Sequence, residues 1–181
     1  MATAQQGPTP EFALAYRDIM LMGLTNELQA TKKVLAAIPD AKRDYKPDPN
    51  SRTAGDLAWH LASADVQMLD ETADRKFAME ARFKDEPKTT AELVSWYEKN
   101  FLRAIERVRA MSPEELLTPV DFYGAFTLPV VFYLGFVNNH SIHHRGQLAT
   151  YLRPMGSKCP SIYGGSYDEP WQGAPAESNA A

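Results

Sequence analysis

The sequence is poor in cysteine and in positive charge, and each shortage excludes a class of protein. The one cysteine, Cys159, cannot form a disulfide within the chain, and no charged segment followed by an apolar run opens the sequence as a secretory signal would. We therefore expect a cytoplasmic protein. The formal net charge of −4 leaves no basic surplus to neutralise phosphates, so we expect no nucleic-acid partner.

The sequence also lacks an apolar run long enough for a membrane. Its richest apolar stretch, residues 126–140, is interrupted by Pro129 and gives way to two asparagines and a histidine. A membrane-spanning helix needs about 20 consecutive apolar residues. This stretch therefore predicts a buried helix, and we expect no membrane partner.

Apolar residues recur at helical spacing in four segments, which predicts an all-α protein. The first segment covers about residues 11–38, and the next two begin after the capping residues Thr53 and Thr89. The fourth is predicted to begin at Thr127 and to end before Pro154. Strand-like alternation is missing, so the pattern favours an antiparallel four-helix bundle with long irregular connections and an irregular C-terminal tail.

Composition divides the chain into three parts. Residues 1–10 are small, polar and proline-containing, which predicts a flexible arm. Residues 11–171 carry the helical pattern and form the predicted bundle domain. Residues 172–181 are small and polar, and we expect a disordered tail.

The four histidines of the chain are unevenly placed. His140 and His144 stand four residues apart, about 40 degrees around a helix, so both rings can approach one ion from a single face. His60 lies on the inward face of the predicted second helix. The residues alone leave two readings open, a metal site or histidines hydrogen-bonded in the core, because three neutral imidazoles in an apolar core are costly without partners.

Three segments resemble a known family. The run NNHSIHHRGQLATYLRPMG resembles the HxxxHRGQ motif of the DinB-like (DinB/YfiT) metal-binding superfamily of four-helix bundles. The run NSRTAGDLAWHLA is similar to its second-helix signature, and CPSIYGGSYDE is similar to a segment that follows its last helix. The resemblance extends from the first helix to about residue 169 and implies that His60, His140 and His144 bind one divalent metal ion.

Five neighbouring residues are candidates for supporting roles. In the motif, His143 occupies a position that is commonly aromatic, so we expect it to line the site without binding the metal. Arg145 and Gln147 either orient the imidazoles or the substrate, or, for Arg145, form an ordinary ion pair between helices. Asp56 either supports the site or caps its helix. Tyr133 is a pocket candidate or a core residue.

The function expected from this site follows from its ligand number. Three histidines leave a coordination position open, as in catalytic metal sites, where a metal-bound water or thiolate acts as nucleophile. The resemblance implies a metal-dependent transferase that activates a low-molecular-weight thiol, with a metal-dependent hydrolase or a non-enzymatic metal- and small-ligand-binding module as alternatives. Zinc or nickel is the expected metal, with iron as an alternative. The resemblance also implies a homodimer.

Overall fold

A computed structural model describes residues 7–171. The predicted tail at 172–181 and residues 1–6 of the predicted arm lie outside the described residues. The helices are α1 (Pro10–Ala36), α2 (Ala54–Asp74), α3 (Thr90–Arg109), the short α4 (Pro113–Leu117) and α5 (Tyr133–Leu152). Two short strands, β1 (Pro119–Phe122) and β2 (Phe126–Pro129), form an antiparallel hairpin between α4 and α5. The predicted all-α helical bundle is confirmed, with this small hairpin added.

Local caps explain where α2, α3 and α4 begin. The side chain of Thr53 accepts a hydrogen bond from the backbone N–H three residues later, at 2.9 Å. Thr89 and Glu92 form a reciprocal capping box at the start of α3. Ser112 and Glu115 repeat that arrangement at the start of α4. These starts agree with the sequence prediction because a cap depends only on residues within one helical turn.

The start predicted for the last helix was wrong. Thr127 lies in β2, opposite Asp121 of β1, and α5 begins six residues later at Tyr133. The Tyr133 hydroxyl donates a hydrogen bond to the backbone carbonyl of Val120 at 2.6 Å and accepts one from the backbone N–H of Leu128 at 3.1 Å. The hydroxyl of the buried Tyr133 is thus bonded to both strands. These bonds stabilise the hairpin relative to a helix that would begin at Thr127.

Contacts between helices give the direction of each one. Antiparallel packing, as predicted, holds for α2 against α5 and for α1 against α3. The pairs α1–α5 and α2–α3 instead run parallel, since residues early in one helix contact residues early in the other. Residues 75–89 permit this, because about 15 residues of extended chain can return along the length of a 20-residue helix.

The four long helices share one apolar core. Their inward faces are built mainly from leucine, valine, alanine and aromatic side chains. Within residues 7–171, no helix combines the length and the apolar character needed to cross a membrane. Among the polar side chains within this bundle, three histidines and the buried Asp65 lie where α2 faces α5.

Candidate metal centre

The side chains of His60, His140 and His144 converge between α2 and α5. The Nε2 atom of His60 lies 3.2 Å from Nε2 of His144 and 3.3 Å from Nε2 of His140. Each ring offers one nitrogen, and the three nitrogens lie within 4.8 Å of one another. The group could hold a metal ion, because nitrogens at this spacing can reach a common point at bond lengths of about 2.1 Å.

Hydrogen bonds on the far side of two rings determine which nitrogen faces the cluster. The Nδ1 atom of His140 lies 2.7 Å from Oδ1 of Asp65, and Nδ1 of His144 lies 3.1 Å from Oε1 of Gln147. Both oxygens are acceptors, so Nδ1 of each imidazole carries the proton and donates it. When the rings of His140 and His144 are neutral, the Nε2 atom of each therefore carries a lone pair that points at the cluster.

A cation fits this donor set better than hydrogen bonding does. A neutral His60 has one ring proton, so its Nε2 can donate to His140 or to His144 but not to both. Without a cation, the Nε2 lone pair of either His140 or His144 therefore receives no hydrogen bond from His60. A divalent ion would accept a lone pair from each of the three rings, so the residues present fit a metal ligand set.

Burial keeps two of these histidines neutral. It lowers the pKa of His60 to about 4, and the charge of Arg52 acts in the same direction. Burial also lowers the pKa of His144, while the hydrogen bond to Gln147 opposes that shift. Because a histidine must be unprotonated to bind a metal, both rings are ready to act as ligands at neutral pH.

Asp65 stands behind the cluster and has no exposed surface. Its Oδ2 atom accepts a hydrogen bond from the hydroxyl of Tyr97 of α3 at 2.9 Å. Burial and the charge of Asp65 raise the pKa of Tyr97 well above its usual value, so the hydroxyl remains protonated and donates. A carboxylate behind an imidazole is the arrangement that orients many metal-binding histidines.

Sequence reasoning missed Asp65, although the sequence carries a signal for it. Leu57, Leu61, Asp65 and Leu69 recur every four residues of α2, and all four are buried. A carboxylate within such an apolar stripe requires a buried partner. Asp56, the candidate chosen from the sequence, is exposed in the first turn of α2, and its backbone N–H donates to the Thr53 cap.

The sequence matches the model of the DinB family over residues 19–176. The chain belongs to the DinB family. It is 25% identical to the protein YrdA of Bacillus subtilis strain 168 over 144 residues, which cover 79% of this chain and 85% of that protein.

Two solved structures share the fold of this DinB family member. The crystal structure of a DinB-like protein from Bacillus cereus ATCC 10987 has a TM-score of 0.68 and 26% sequence identity, covering 80% of this chain and 95% of that one. The crystal structure of YjoA, a DinB-like protein from Bacillus subtilis, has a TM-score of 0.66 and 19% identity, covering 79% and 96%. The second likeness, at that identity, shows the fold alone.

The remaining candidates lie at different distances from the cluster. His143 is exposed, and its ring centroid lies 4.7 Å from that of His144. Arg145 is buried and points toward α1, where it forms an ion pair with Glu27 at 2.5 Å and donates to the Thr31 hydroxyl at 3.2 Å. These contacts give Arg145 a role in joining α5 to α1.

A cavity of about 480 Å³ opens beside two of the clustered histidines, His60 and His140. Its walls come from α2, from the loop after α2 and from the β-hairpin. Tyr133 lies beneath that hairpin, where its hydroxyl bonds to the backbone of both strands. The hairpin that replaced the predicted start of the last helix thus forms one wall of the candidate site.

Proposed function

We propose that this protein binds one divalent metal ion through Nε2 of His60, His140 and His144. The main support for the proposal is the direction of the Nε2 lone pairs of His140 and His144. Asp65 and Gln147 bind the Nδ1 atoms of these rings, which leaves Nε2 of each ring facing the cluster. Imidazole ligands suit zinc, nickel and iron, with zinc or nickel as our first choice.

We further propose that the bound ion serves a transferase reaction on a small electrophilic substrate. A low-molecular-weight thiol would lose its proton to solvent, and its sulfur would form a bond to the electrophilic carbon while the bond from that carbon to a leaving group breaks and the group departs with the electron pair. Three protein ligands leave a coordination position open, and a divalent ion there would lower the pKa of a thiol or water that reached it. The protein's own contribution is to fix the imidazoles through Asp65 and Gln147 and to receive the substrate in the adjoining cavity.

One observation favours transfer over hydrolysis. A hydrolase of this kind needs a general base near the attacking water. Asp65 is the carboxylate that contacts the cluster among the described residues, and both its oxygens are engaged, by His140 and by Tyr97. A thiol is far more acidic than water, so it would ionise at the metal with less need of a separate base.

The first experiment measures metal content. Native mass spectrometry and elemental analysis of protein purified without added metal should find one divalent ion per chain. His144→Ala should empty the site, and His143→Ala is the matched control, since its side chain is exposed beside the same ligand. A metal-free wild-type protein that takes up no zinc or nickel would overturn the proposal.

The second experiment measures chemistry. Common cellular thiols are each offered to the metal-loaded protein with 1-chloro-2,4-dinitrobenzene, whose substitution by a thiol is followed by absorbance. Metal-dependent turnover supports the transferase. Ester substrates are offered in a parallel assay, and turnover of the esters alone supports the hydrolase. A protein that keeps its metal and turns over neither the thiol pair nor the esters supports the binding module.

We also propose a cytoplasmic homodimer. The single cysteine cannot form a disulfide within the chain, which suits the reducing environment of the cytoplasm. α1 presents Phe12, Ile19 and Met22 on its outer surface, with 47%, 62% and 64% of each residue exposed, and such an apolar face suits a second copy of the chain. Light scattering at micromolar concentration should give twice the chain mass for the wild type and a smaller mass for Ile19→Asp. A monomeric wild type would contradict the dimer.

A further inference from the structure

The cavity beside His60 and His140 is walled by side chains without formal charge. Apart from the histidines and three neutral polar residues, its walls are apolar, formed by Ala64, Met68, Ala78, Met79, Ala81 and Phe122. The volume of about 480 Å³ falls in the range of small-molecule sites, about 300–1,000 Å³. The cavity is therefore large enough for a ring-containing group and offers it no ion pair.

The three neutral polar side chains of the wall, Ser63, Gln67 and Tyr123, are already bonded to protein. The Ser63 hydroxyl donates to a backbone carbonyl one turn earlier at 2.7 Å. The Gln67 amide donates to Glu71 at 2.9 Å, and its oxygen accepts from a backbone N–H at 3.0 Å. An anionic group placed against this wall would find its hydrogen-bond donors already engaged, so the wall offers such a group nothing in place of water.

Glu71 connects the three walls of the cavity. It is buried, and its Oε1 accepts from Gln67 of α2 and, at 3.1 Å, from the backbone N–H of Ala78 in the following loop. Its Oε2 accepts from the hydroxyl of Tyr123 in the hairpin at 2.9 Å. The carboxylate is thus used to hold the walls together and is not presented to the cavity.

The hairpin turn that carries Tyr123 has an unfavourable backbone conformation. Tyr123 and Gly124 both have positive φ, 54° and 78°, and the backbone N–H of Ala125 donates to the carbonyl of Phe122 at 2.9 Å. Tyr123 thus places a bulky ring at a position of positive φ, where glycine, asparagine or aspartate is favoured. Strained residues of this kind concentrate at functional sites.

We propose that the cavity receives an uncharged, apolar, ring-sized group of the substrate, while the reacting end of the substrate faces the three histidines. The inference rests on the proposed metal site and names the substrate class for it. Two features support it: the hydrogen-bond donors of the three polar wall residues are already engaged, and the turn that carries Tyr123 of the wall has an unfavourable backbone conformation.

The test uses hydroxamic acids, which bind an open metal position whatever reaction the protein performs. Zinc-loaded protein is titrated by calorimetry with acetohydroxamic acid, benzohydroxamic acid and 4-carboxybenzohydroxamic acid. Burial of the phenyl ring should make benzohydroxamic acid bind about 10- to 100-fold tighter than acetohydroxamic acid. The added carboxylate should remove most of that gain.

Matched variants assign the gain to this cavity. Ala64→Leu partly fills the cavity and should reduce the ratio of the affinity for benzohydroxamic acid to that for acetohydroxamic acid. Ala91→Leu makes the same change at the exposed start of α3 and should preserve that ratio. Binding of acetohydroxamic acid also reports that each variant is folded and metal-loaded.

Two results would overturn the inference in distinguishable ways. If acetohydroxamic acid binds and the phenyl ring adds no affinity, the cavity assignment is wrong and the metal site stands. If the protein binds neither zinc nor acetohydroxamic acid, the proposed metal site fails and the substrate assignment fails with it.

Discussion

The Nδ1 atom of His140 lies 2.7 Å from Oδ1 of Asp65, a carboxylate without exposed surface. The two residues belong to different helices, α5 and α2, and the bond directs Nε2 of His140 toward His60. A carboxylate behind the ring fixes the orientation in which that nitrogen faces the cluster. Asp65 therefore belongs to the candidate site as a positioning residue.

Removing the charge of Asp65 should weaken metal binding. For Asp65→Asn we expect the zinc affinity, measured by competition with a chromogenic chelator, to fall about 10- to 100-fold. Tyr97→Phe, which removes the other hydrogen bond to this carboxylate, should have a smaller effect, because the charge behind His140 remains. An Asp65→Asn variant with wild-type affinity would show that the carboxylate has no influence on the site.

The histidines should differ from one another in their effect on metal content. Elemental analysis should find that alanine at His60, His140 or His144 empties or greatly weakens the site, because each supplies one of the three converging nitrogens. His143→Ala should keep the metal, since its side chain is exposed outside that group. Metal loss from His143→Ala together with retention in His144→Ala would identify a different ligand pair.

The stability of the metal-free protein should depend on pH through His60. In the unfolded chain this histidine gains a proton near pH 6.5, whereas in the folded protein its lowered pKa delays protonation to about pH 4. Between these values the unfolded state binds more protons, so the free energy of unfolding should decrease as the pH falls through this window. Urea titrations in chelator at several pH values measure it.

The control for the pH prediction is His60→Asn, which cannot take up a proton at this position. Its free energy of unfolding should depend less steeply on pH between about 6.5 and 4 than that of the wild type. Equal slopes for the two proteins would mean that other groups govern the acid sensitivity.

Arg145 should matter for stability more than for metal binding. Arg145→Met removes the partner of Glu27 in a largely buried ion pair, so we expect the free energy of unfolding to fall by about 3 kcal/mol. The double variant Glu27→Leu with Arg145→Met should recover part of that loss, because no uncompensated charge is left buried. Metal content of the folded single variant should remain at the wild-type level. Metal loss without loss of stability would instead give Arg145 a role at the site.

Local sequence determined most of the secondary structure. Thr53, Thr89 and Ser112 start their helices as predicted, because each cap contacts a backbone N–H only three residues away. The fourth helix was placed too early for the same reason: Thr127 and Pro129 form a plausible helix start by local rules. The hydroxyl of Tyr133, which bonds to both strands of the hairpin, adds a tertiary interaction that those rules do not include.

The sequence by itself also drew attention to His60, His140 and His144, through spacing on helix faces and resemblance to a family motif. Only the tertiary structure decided what holds their rings and what lies beside them. Asp65 and His140 are 75 residues apart, and Tyr123 and Glu71 are 52 residues apart. Helical periodicity describes one helix face at a time, whereas such contacts depend on which helices are neighbours, and that is set by how the whole core packs.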